Sequence, residues 1–296
     1  MSIFPEELGV VVVTYKRPEA LRKTIFAILS QGITEAQIVV LNNDPSVQLL
    51  SEEIDPNFTS LIIKNQSENI ASAGGFAKGM QAVLDLGLKW AWLFNDDSRP
   101  VRGSLDSLKY AVGKVSSPKI GLVKIGNLNN RGKATLLNWK GVRVPSYVEP
   151  SGELIETDLV TFDGCLISTQ LIQEIGTCDP GYFMGTYEFD YCLRAKDAGY
   201  SIFTLPNGLI EDEKAGSIGG TPPWRQYYNT RNHLFLGLQR KNMQTIAAWI
   251  KRELKYTYAI IRFEDQKLIR LKLKALATFH ALLRKRGKTF DPARFN

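Results

Sequence analysis

The chain opens with a pattern that predicts alternating strands and helices. Leu8 to Thr14 is a short valine-rich run, typical of a strand that is buried on both faces of a parallel sheet. Pro18 then begins a segment with apolar residues at helical spacing, which ends at Gly32. Further apolar runs predict strands over 38–41, 61–63 and 90–94, with a helix over 74–86 between the last two. This order predicts an α/β fold with a mostly parallel central sheet.

The rest of the chain is irregular at first and then strongly helical. Residues 101–161 alternate short β-like runs with glycine, asparagine and proline, and predict smaller, irregular sheet structure. After the 162–167 segment, the pattern predicts helices over 169–175 and 188–199 and a strand over 200–206. Beyond Trp224 the pattern is amphipathic and helical to about Arg286. We therefore predict an α/β domain over 1–225 and a helical, basic extension over 226–296.

Positive charge is concentrated in that extension. The chain has 37 Lys and Arg against 30 Asp and Glu, but Arg240 to Lys288 alone holds 14 bases and 3 acids. A basic tail indicates an anionic partner, either a membrane surface or nucleic acid, of which nucleic acid is the less favoured. The apolar stripe within it has a plainer interpretation, a helix packed on the core. That stripe consists of Trp249, Ile250, Leu254, Tyr258 and Ile261.

The N-terminus and the cysteines indicate a reducing compartment. The first seven residues carry acid where a signal peptide needs base, and no apolar stretch approaches the roughly 20 residues that span a bilayer. Cys165, Cys178 and Cys192 are odd in number and lack metal-ligand spacing, so buried free thiols are expected. We expect a cytoplasmic protein, with peripheral attachment to the inner face of the plasma membrane as a further hypothesis.

Polar clusters follow four successive predicted strands. They lie at 14–17, 42–44, 68–69 and 95–97. In open α/β sheets, ligands bind beyond the carboxyl ends of the strands. Any one of these clusters alone is most simply a loop, but their recurrence predicts an active site at this edge.

Three pairs of residues suggest chemistry: Asn95 and Asp97, Glu188 and Asp190, and Gly74 and Gly75. Asp97 and its neighbour Asn95 offer oxygen ligands to a hard divalent cation that a nucleotide's phosphates would complete, although acid pairs are often solvated turn residues. Glu188 and Asp190 begin a helix, where an acid is either a cap or a general base for an acceptor hydroxyl.

The helix at Gly74 and Gly75 opens on bare backbone amides that either cradle phosphate or allow close packing on the sheet. The glycines lack the spacing of a dinucleotide-binding or phosphate-binding loop.

Taken together, these segments resemble the family 2 glycosyltransferases, an inverting group with the GT-A fold. Within that group they look closest to galactofuranosyl- and rhamnosyltransferases. The resemblance spans about Val10 to Leu234 and depends on the order and spacing of six segments: 12–18, 40–44, 68–76, 95–98, 187–194 and 227–232.

The resemblance implies a nucleotide-sugar donor site and a divalent metal, Mn²⁺ or Mg²⁺. Asn95-Asp96-Asp97 matches the family's DxD motif, so Asp97 would bind the metal and the diphosphate. Glu188 falls where the family usually carries its catalytic aspartate. The donor-binding set implied in this way is Thr14, Tyr15, Arg17, Asn42, Asn43, Asn69, Gly74, Gly75, Asn95, Asp96, Asp163 and Gly164.

The sequence departs from the family pattern at three places. Asn95 stands at the first DxD position, which lowers the negative charge of the metal site. Asn42 replaces an aspartate that commonly reads the base. A histidine that often serves as a metal ligand is replaced by Glu211-Asp212-Glu213, where we expect Asp212 to substitute.

The function predicted is inverting transfer of a sugar from a nucleotide-diphosphate donor, UDP-galactofuranose or dTDP-rhamnose, to a hydroxyl of a cell-surface glycan or a lipid-linked acceptor. Two alternatives stay open from the sequence: a sugar nucleotidyltransferase, and a non-catalytic protein that binds glycan or nucleic acid.

Overall fold

The computed structural model describes residues 5–116, 119–129, 131–212 and 222–291. The strands within these ranges are β1 (Leu8–Thr14), β2 (Ile38–Asn42), β3 (Ile62–Asn65), β4 (Trp90–Asn95), β5 (Ser98–Pro100), β6 (Ile120–Ile125), β7 (Ala134–Trp139), β8 (Arg143–Val148), β9 (Ile155–Glu156), β10 (Cys165–Ser168), β11 (Ser201–Leu205) and β12 (Ile210–Asp212). The α-helices are α1 (Pro18–Leu29), α2 (Ser51–Ile54), α3 (Ala71–Asp85), α4 (Ser104–Gly113), α5 (Thr169–Ile175), α6 (Tyr187–Asp197), α7 (Pro223–Gln239), α8 (Met243–Arg262) and α9 (Lys267–Leu282).

A central sheet of eight strands organises the molecule, in the order β3-β2-β1-β4-β10-β6-β11-β9. Strands β3, β2, β1 and β4 are parallel neighbours, and β10 runs antiparallel between β4 and β6. Because β11 is parallel to β6, six of the eight strands have their carboxyl ends at one edge. We call this the carboxyl edge. The prediction of a mostly parallel α/β sheet is confirmed.

Helices cover both faces of the sheet. The alternate valines of β1 explain why, since Val10 and Val12 pack with α1 and α4 while Val11 and Val13 pack with α3 and α6. A strand with both faces buried requires apolar residues throughout, and all seven residues of β1 are buried. The result is a three-layer arrangement that holds the carboxyl edge rigidly.

Two elements of the middle segment differ from the sequence prediction. Residues 104–113 form helix α4, whose Leu105 and Leu108 are buried against the sheet. Residues 120–125 form β6, a fully buried strand inside the main sheet and not part of a smaller one. Gly121 and Lys124 hide the strand pattern of β6, because its burial depends on β10 and β11 from later in the chain.

The C-terminal region forms three helices, as its amphipathic pattern predicts, with breaks near residues 240–242 and 263–266. Trp249 packs against the core and its indole N–H donates to the carbonyl of Thr230 at 3.0 Å. The other four residues of the stripe, Ile250, Leu254, Tyr258 and Ile261, are exposed. The core-packing interpretation is therefore wrong for most of the stripe.

Other expectations have simpler outcomes. The three cysteines are buried free thiols, as predicted. Across the described ranges, no helix combines the length and apolarity needed to cross a membrane. The domain boundary at 225/226 stays a prediction, since α7 begins at Pro223 and packs directly on the α/β domain.

Candidate active site

Asp96 joins the carboxyl ends of two central strands. Its side chain is fully buried, and its Oδ2 accepts hydrogen bonds from the Thr14 hydroxyl at 2.7 Å and the Tyr15 N–H at 3.3 Å. The Thr24 hydroxyl on α1 donates to the Asp96 carbonyl at 2.8 Å. Burial raises the pKa of Asp96 to about 6, while Arg17 and Thr14 pull it down. Asp96 therefore has a structural role beneath the site, and Thr14 is committed to it.

Arg17 bridges Asp96 and Asp97. Its guanidinium forms an ion pair with Asp96 and contacts Asp97 Oδ2 through Nη1 at 2.6 Å. Nearly half of the Arg17 side chain is exposed, so a ligand at the carboxyl edge can reach it. A guanidinium holds phosphate in the same bidentate way as it holds carboxylate. Arg17 and Asp97 are thus placed where a diphosphate and its counter-ion would meet.

Asn95 holds Asp163 from two sides. Asp163 Oδ1 accepts a hydrogen bond from the Asn95 N–H at 3.0 Å and another from its Nδ2 at 2.5 Å. An aspartate at position 95 would bring two carboxylates into contact. Asparagine avoids that repulsion and donates hydrogen bonds to Asp163 instead. The turn after Asp163 needs glycine, because Gly164 has φ +68° and a Cβ there would lie 2.8 Å from Ile210 Cγ1. Gly164 therefore shapes the turn.

Asp212 lies beside the DxD segment although it is far away in sequence. Strand β12 pairs with β5, which places Asp212 opposite Ser98. The Ser98 hydroxyl donates to Asp212 Oδ1 at 2.8 Å, and the Asn127 amide donates to Oδ2. The structure thus brings Asp97 and Asp212 to the same edge, as the metal hypothesis requires.

Asp163 lies between these acids and a buried lysine. Burial raises the pKa of Asp163, and the charges of Asp212 and Asp97 raise it further, whereas Lys124 and the Asn95 N–H lower it. Lys124 projects from the carboxyl end of β6 and contacts the Asp163 carbonyl oxygen. Lys124 is not among the site residues that the sequence predicts. The available signal is a lysine inside the otherwise apolar run Ile120 to Ile125.

Glu188 is the residue predicted to act as the general base. It lies in the first turn of α6, half-buried, and its Oε1 accepts a hydrogen bond from the Phe162 N–H at 2.8 Å. Burial raises its pKa to about 7, helped by Asp163, while the Phe162 N–H, Lys124 and Arg143 lower it. A carboxyl group with a pKa near neutrality can take a proton at physiological pH and pass it on.

The loop before Glu188 is held in a strained conformation. Phe183 and Thr186 both have positive φ, at +63° and +67°, which is unusual for residues with a side chain. Arg231 and Asn232 of α7 fix this loop by donating to the Tyr182 carbonyl, each at 2.9 Å. Asn232 also donates to the Met184 carbonyl at 2.6 Å. Helix α7 therefore fixes the loop that leads into Glu188.

Asp190 does not share this position. It is buried and accepts a hydrogen bond from Arg194 Nε at 3.0 Å. Arg194 in turn donates to the carbonyls of Ile175 and Thr177. This network joins α6 to the end of α5, so the geometry favours a structural role for Asp190 over the catalytic role that we predicted.

The asparagines predicted to bind the donor differ in what they leave available. The Asn42 amide donates to Val47 and Asn65, and its carbonyl oxygen accepts from the Asp44 N–H, so loop contacts occupy it. Asn69 Oδ1 caps the Ala71 N–H at 2.8 Å. Asn43 keeps a buried Oδ1 without a partner among the described residues. Asn43, together with the exposed ring of Tyr15, stays a candidate for donor contact.

The glycines at the start of α3 serve packing. A Cβ at Gly75 would lie 2.8 Å from Val13 Cγ1, and one at Gly74 would lie 2.8 Å from Ile70 Cβ. The Ala73 N–H already donates to the Phe183 carbonyl and the Gly74 N–H to that of Ile70. With these amides occupied, the close-packing interpretation fits better than a phosphate cradle.

The carboxyl edge fits a divalent cation only with help from a ligand. Asp97 and Asp212 supply hard oxygen atoms. The charges of both raise the pKa of Asp163, which indicates an excess of negative charge at this edge. Within the ranges that the structure describes, no three Asp, Glu, His or Cys side chains form a metal-binding group. Cations such as Mg²⁺ are often held by one or two carboxylates plus substrate phosphates, which matches this set. Glu213 lies outside the described residues.

Relatives with known names are galactofuranosyltransferases. The chain is 27% identical over 202 residues to galactofuranosyltransferase GlfT1 of Mycolicibacterium smegmatis, covering 66% of this chain and 67% of the relative. It is 25% identical over 221 residues to GlfT1 of Mycobacterium tuberculosis, covering 70% and 68%. No protein-family model matches.

Solved structures show the same fold. GalNAc-T7 with UDP, GalNAc and Mn²⁺ superposes with a TM-score of 0.58 at 13% identity, over 78% of this chain and 47% of that one. The Pyrobaculum calidifontis mannosyltransferase PcManGT with GDP-Man and Mn²⁺ gives 0.54 at 14% identity, over 94% and 88%. S. aureus TarS gives 0.56 at 11%, over 93% and 80%.

This chain is a GT-A glycosyltransferase. Its sequence resembles those of galactofuranosyltransferases, as its motifs predict. It spans about half the length of the GalNAc-T7 chain. Because the named relatives and the solved structures are glycosyltransferases, the sugar nucleotidyltransferase and non-catalytic alternatives are set aside.

Substitution of Asn95 tests whether its hydrogen bonds to Asp163 stabilise the fold. Asn95→Asp removes a donor from the buried Asp163 and adds a like charge, so we expect it to lower the free energy of unfolding by about 1–3 kcal/mol in metal-free buffer. Mutual repulsion raises the folded-state pKa of the pair, so the loss grows as pH rises and shrinks in acid. Urea unfolding at several pH values measures it.

Two further variants control this experiment. Adding Asp163→Asn to Asn95→Asp should restore much of the stability, because one carboxylate then faces one amide. Asn138→Asp, the same change beside the Ser146 hydroxyl on the β7–β8 hairpin, should have little effect. Equal stability of Asn95→Asp and the wild type at neutral pH would show that the two side chains are not in contact.

Proposed function

We propose that this enzyme transfers galactofuranose from a UDP donor to a hydroxyl of a cell-envelope glycan or a lipid-linked acceptor, with inversion at the anomeric carbon. The names of the two mycobacterial relatives support galactofuranose over rhamnose as the transferred sugar. UDP in GalNAc-T7 and UDP-GlcNAc in TarS are compatible with a uridine nucleotide, although PcManGT binds GDP-Man with the same fold.

The position of Glu188 is the observation that carries the inverting mechanism. Inversion by a single displacement needs one base on the face of the sugar opposite the leaving group. Glu188 accepts a hydrogen bond from the Phe162 N–H, next to Asp163. Asp163 in turn is hydrogen-bonded to Asn95 of the segment that carries Asp97, the partner of Arg17. Glu188 accepts the proton of the acceptor hydroxyl. The acceptor oxygen then bonds to the anomeric carbon while the bond from that carbon to the diphosphate oxygen breaks, and the diphosphate leaves with the electron pair.

Charges at the carboxyl edge stabilise the departing diphosphate in this proposal. Arg17 is half-exposed and ready to exchange carboxylate for phosphate oxygen. Asp97 and Asp212 would hold a divalent cation, which when bound offsets negative charge on the leaving group. Asp163 and Asn95 fix the edge of the sugar site, and Asp96 holds Arg17 and Thr14 in place beneath it.

We also propose that α8 and α9 attach the enzyme to an anionic membrane surface, where a lipid-linked acceptor would be reached. Large apolar side chains of these helices are exposed, among them Leu254 at 68%, Phe263 at 78% and Leu268 at 75%. Exposed bases accompany them: Lys251, Lys255, Arg262, Lys267, Lys272, Arg284 and Lys285. An apolar face bordered by cations is typical of helices that lie in the membrane interface.

Replacing Glu188 tests the mechanism. Glu188→Gln should lower kcat for transfer from UDP-galactofuranose by about 10²–10⁴-fold, because the base is lost. UDP binding, measured by calorimetry, should be unchanged. In the wild type, kcat/KM should rise with pH and reach half its maximum near the Glu188 pKa of about 7, since only the ionised form accepts a proton.

Asp190→Asn is the matched control on the same helix. It should lower the melting temperature, because Arg194 loses its carboxylate partner, yet keep the wild-type pH midpoint. Wild-type turnover in Glu188→Gln would remove Glu188 from the mechanism.

Point substitutions test the membrane surface better than truncation. Arg231 on α7 donates to the Gly287 carbonyl, so removing the tail would disturb the loop before Glu188. Leu254→Glu with Leu268→Glu should reduce co-sedimentation with phosphatidylglycerol vesicles by about tenfold or more, since two exposed apolar anchors are lost. Salt should weaken wild-type binding.

Tyr110→Glu is the control, since Tyr110 is equally exposed on α4, away from these helices. Binding to neutral phosphatidylcholine vesicles should be weak. If the double variant and the wild type sediment equally with anionic vesicles, α8 and α9 are not the contact surface.

A further inference from the structure

Lys124 is an uncommon residue for its position. It lies in β6 between β10 and β11, paired in register with Cys165 and Thr204, and only 8% of it is exposed. Lysine is almost never buried to this degree without a partner, because its charge loses solvation. Lys124 lies at the carboxyl end of the strand, beside the turn at Asp163.

A cavity of about 240 Å³ opens at this point. Strand β6 and the turn at Asp163 form one wall, and strand β7 of the hairpin forms another. The polar lining comprises Lys124, Asn127, Thr135, Thr161, Asp163, Thr204 and Asp212, with Leu137 and Leu159 as apolar surface. Paired donors and acceptors beside a small apolar patch suit a ring that carries hydroxyl groups.

Asn127 provides a second, independent observation. Its Nδ2 donates to Asp212, which orients the amide, while its Oδ1 is buried with no hydrogen-bond partner among the described residues. A buried acceptor without a donor is costly and uncommon in native structures. A ligand hydroxyl in the cavity would supply the missing donor.

The charges of the lining select the kind of ligand. The cavity is lined by one lysine, Lys124, and two carboxylates, Asp163 and Asp212, so it has no net positive charge to offer. A sugar that carries a carboxylate would be repelled. A neutral sugar can donate hydroxyl protons to the acids and to Asn127, and accept from the lysine.

We propose that this cavity binds a neutral glycosyl group, with Lys124 and Asn127 as specificity-determining contacts to its hydroxyls. The inference builds on the proposed glycosyl transfer and adds the place where one sugar is read. The glycosyl group belongs either to the donor or to the acceptor, and kinetics separates these two sources.

The test compares Lys124→Met and Asn127→Ala with the wild type. Each should raise the KM of one sugar substrate by about tenfold or more, because a hydrogen bond to the sugar is lost, while calorimetric UDP binding stays unchanged. Lys119→Met is the matched control, since Lys119 precedes the same strand at its other end and pairs with exposed Glu174. Asn127→Ala keeps the test valid if Lys124→Met does not fold.

Two assays locate the sugar. A raised KM for UDP-galactofuranose hydrolysis without acceptor assigns the cavity to the donor sugar. An unchanged hydrolysis KM with a raised acceptor KM during transfer assigns it to the acceptor.

A binding measurement separates this inference from the proposed function. Saturation-transfer NMR with methyl galactofuranoside should give a signal that is lost in Lys124→Met and kept in Lys119→Met, whether or not the enzyme turns over. Wild-type sugar signal and wild-type KM values in both cavity variants would overturn the proposal, while an inactive wild type that still loses the NMR signal in Lys124→Met would count only against the proposed transfer.

Discussion

Crowded carboxylates at one sheet edge are the constraint on which the rest of this structure depends. Asp96, Asp97, Asp163 and Asp212 converge there from three separate parts of the chain. Two like charges about 4 Å apart repel by about 4 kcal/mol at the effective dielectric of a protein surface. Arg17 offsets this repulsion by pairing with Asp96 and Asp97. The Asn95 amide donates to the Asp163 carboxylate, and Lys124 contacts the Asp163 carbonyl oxygen. The proposed cation and diphosphate sites lie at this same edge.

Helices α7 and α9 pack against the turn that leads into Glu188. Arg231 and Asn232 of α7 hold the carbonyls of the strained turn that leads into Glu188. Tyr227 and Tyr228 pack around this turn with Leu273 and Ala277 of α9. The proposed membrane surface would therefore include a helix, α9, that also packs against the turn leading into Glu188.

The sequence predicts the layered part of the fold well and the site less completely. Runs such as Leu8 to Thr14 identify themselves because a strand buried on both faces must be apolar throughout. Strand β6 does not, since its lysine is tolerated only through contacts made much later in the chain. The partners of Asn95 and Ser98 lie 68 and 114 residues away, so no local pattern could reveal them. The family resemblance implies donor binding by Asn42, and the start of helix α6 suggests a catalytic role for Asp190. The Asn42 amide is instead occupied by loop contacts, and Asp190 Oδ2 by Arg194.

The stereochemistry of the product tests the central claim most directly. The enzyme, UDP-galactofuranose, Mn²⁺ and a galactoside acceptor are incubated, and the anomeric configuration of the new linkage is read from its proton and carbon NMR signals. A single displacement assisted by Glu188 predicts a linkage of configuration opposite to that of the donor. A product that retains the donor configuration would contradict the account, because it requires a covalent or front-face route for which Glu188 is not the base.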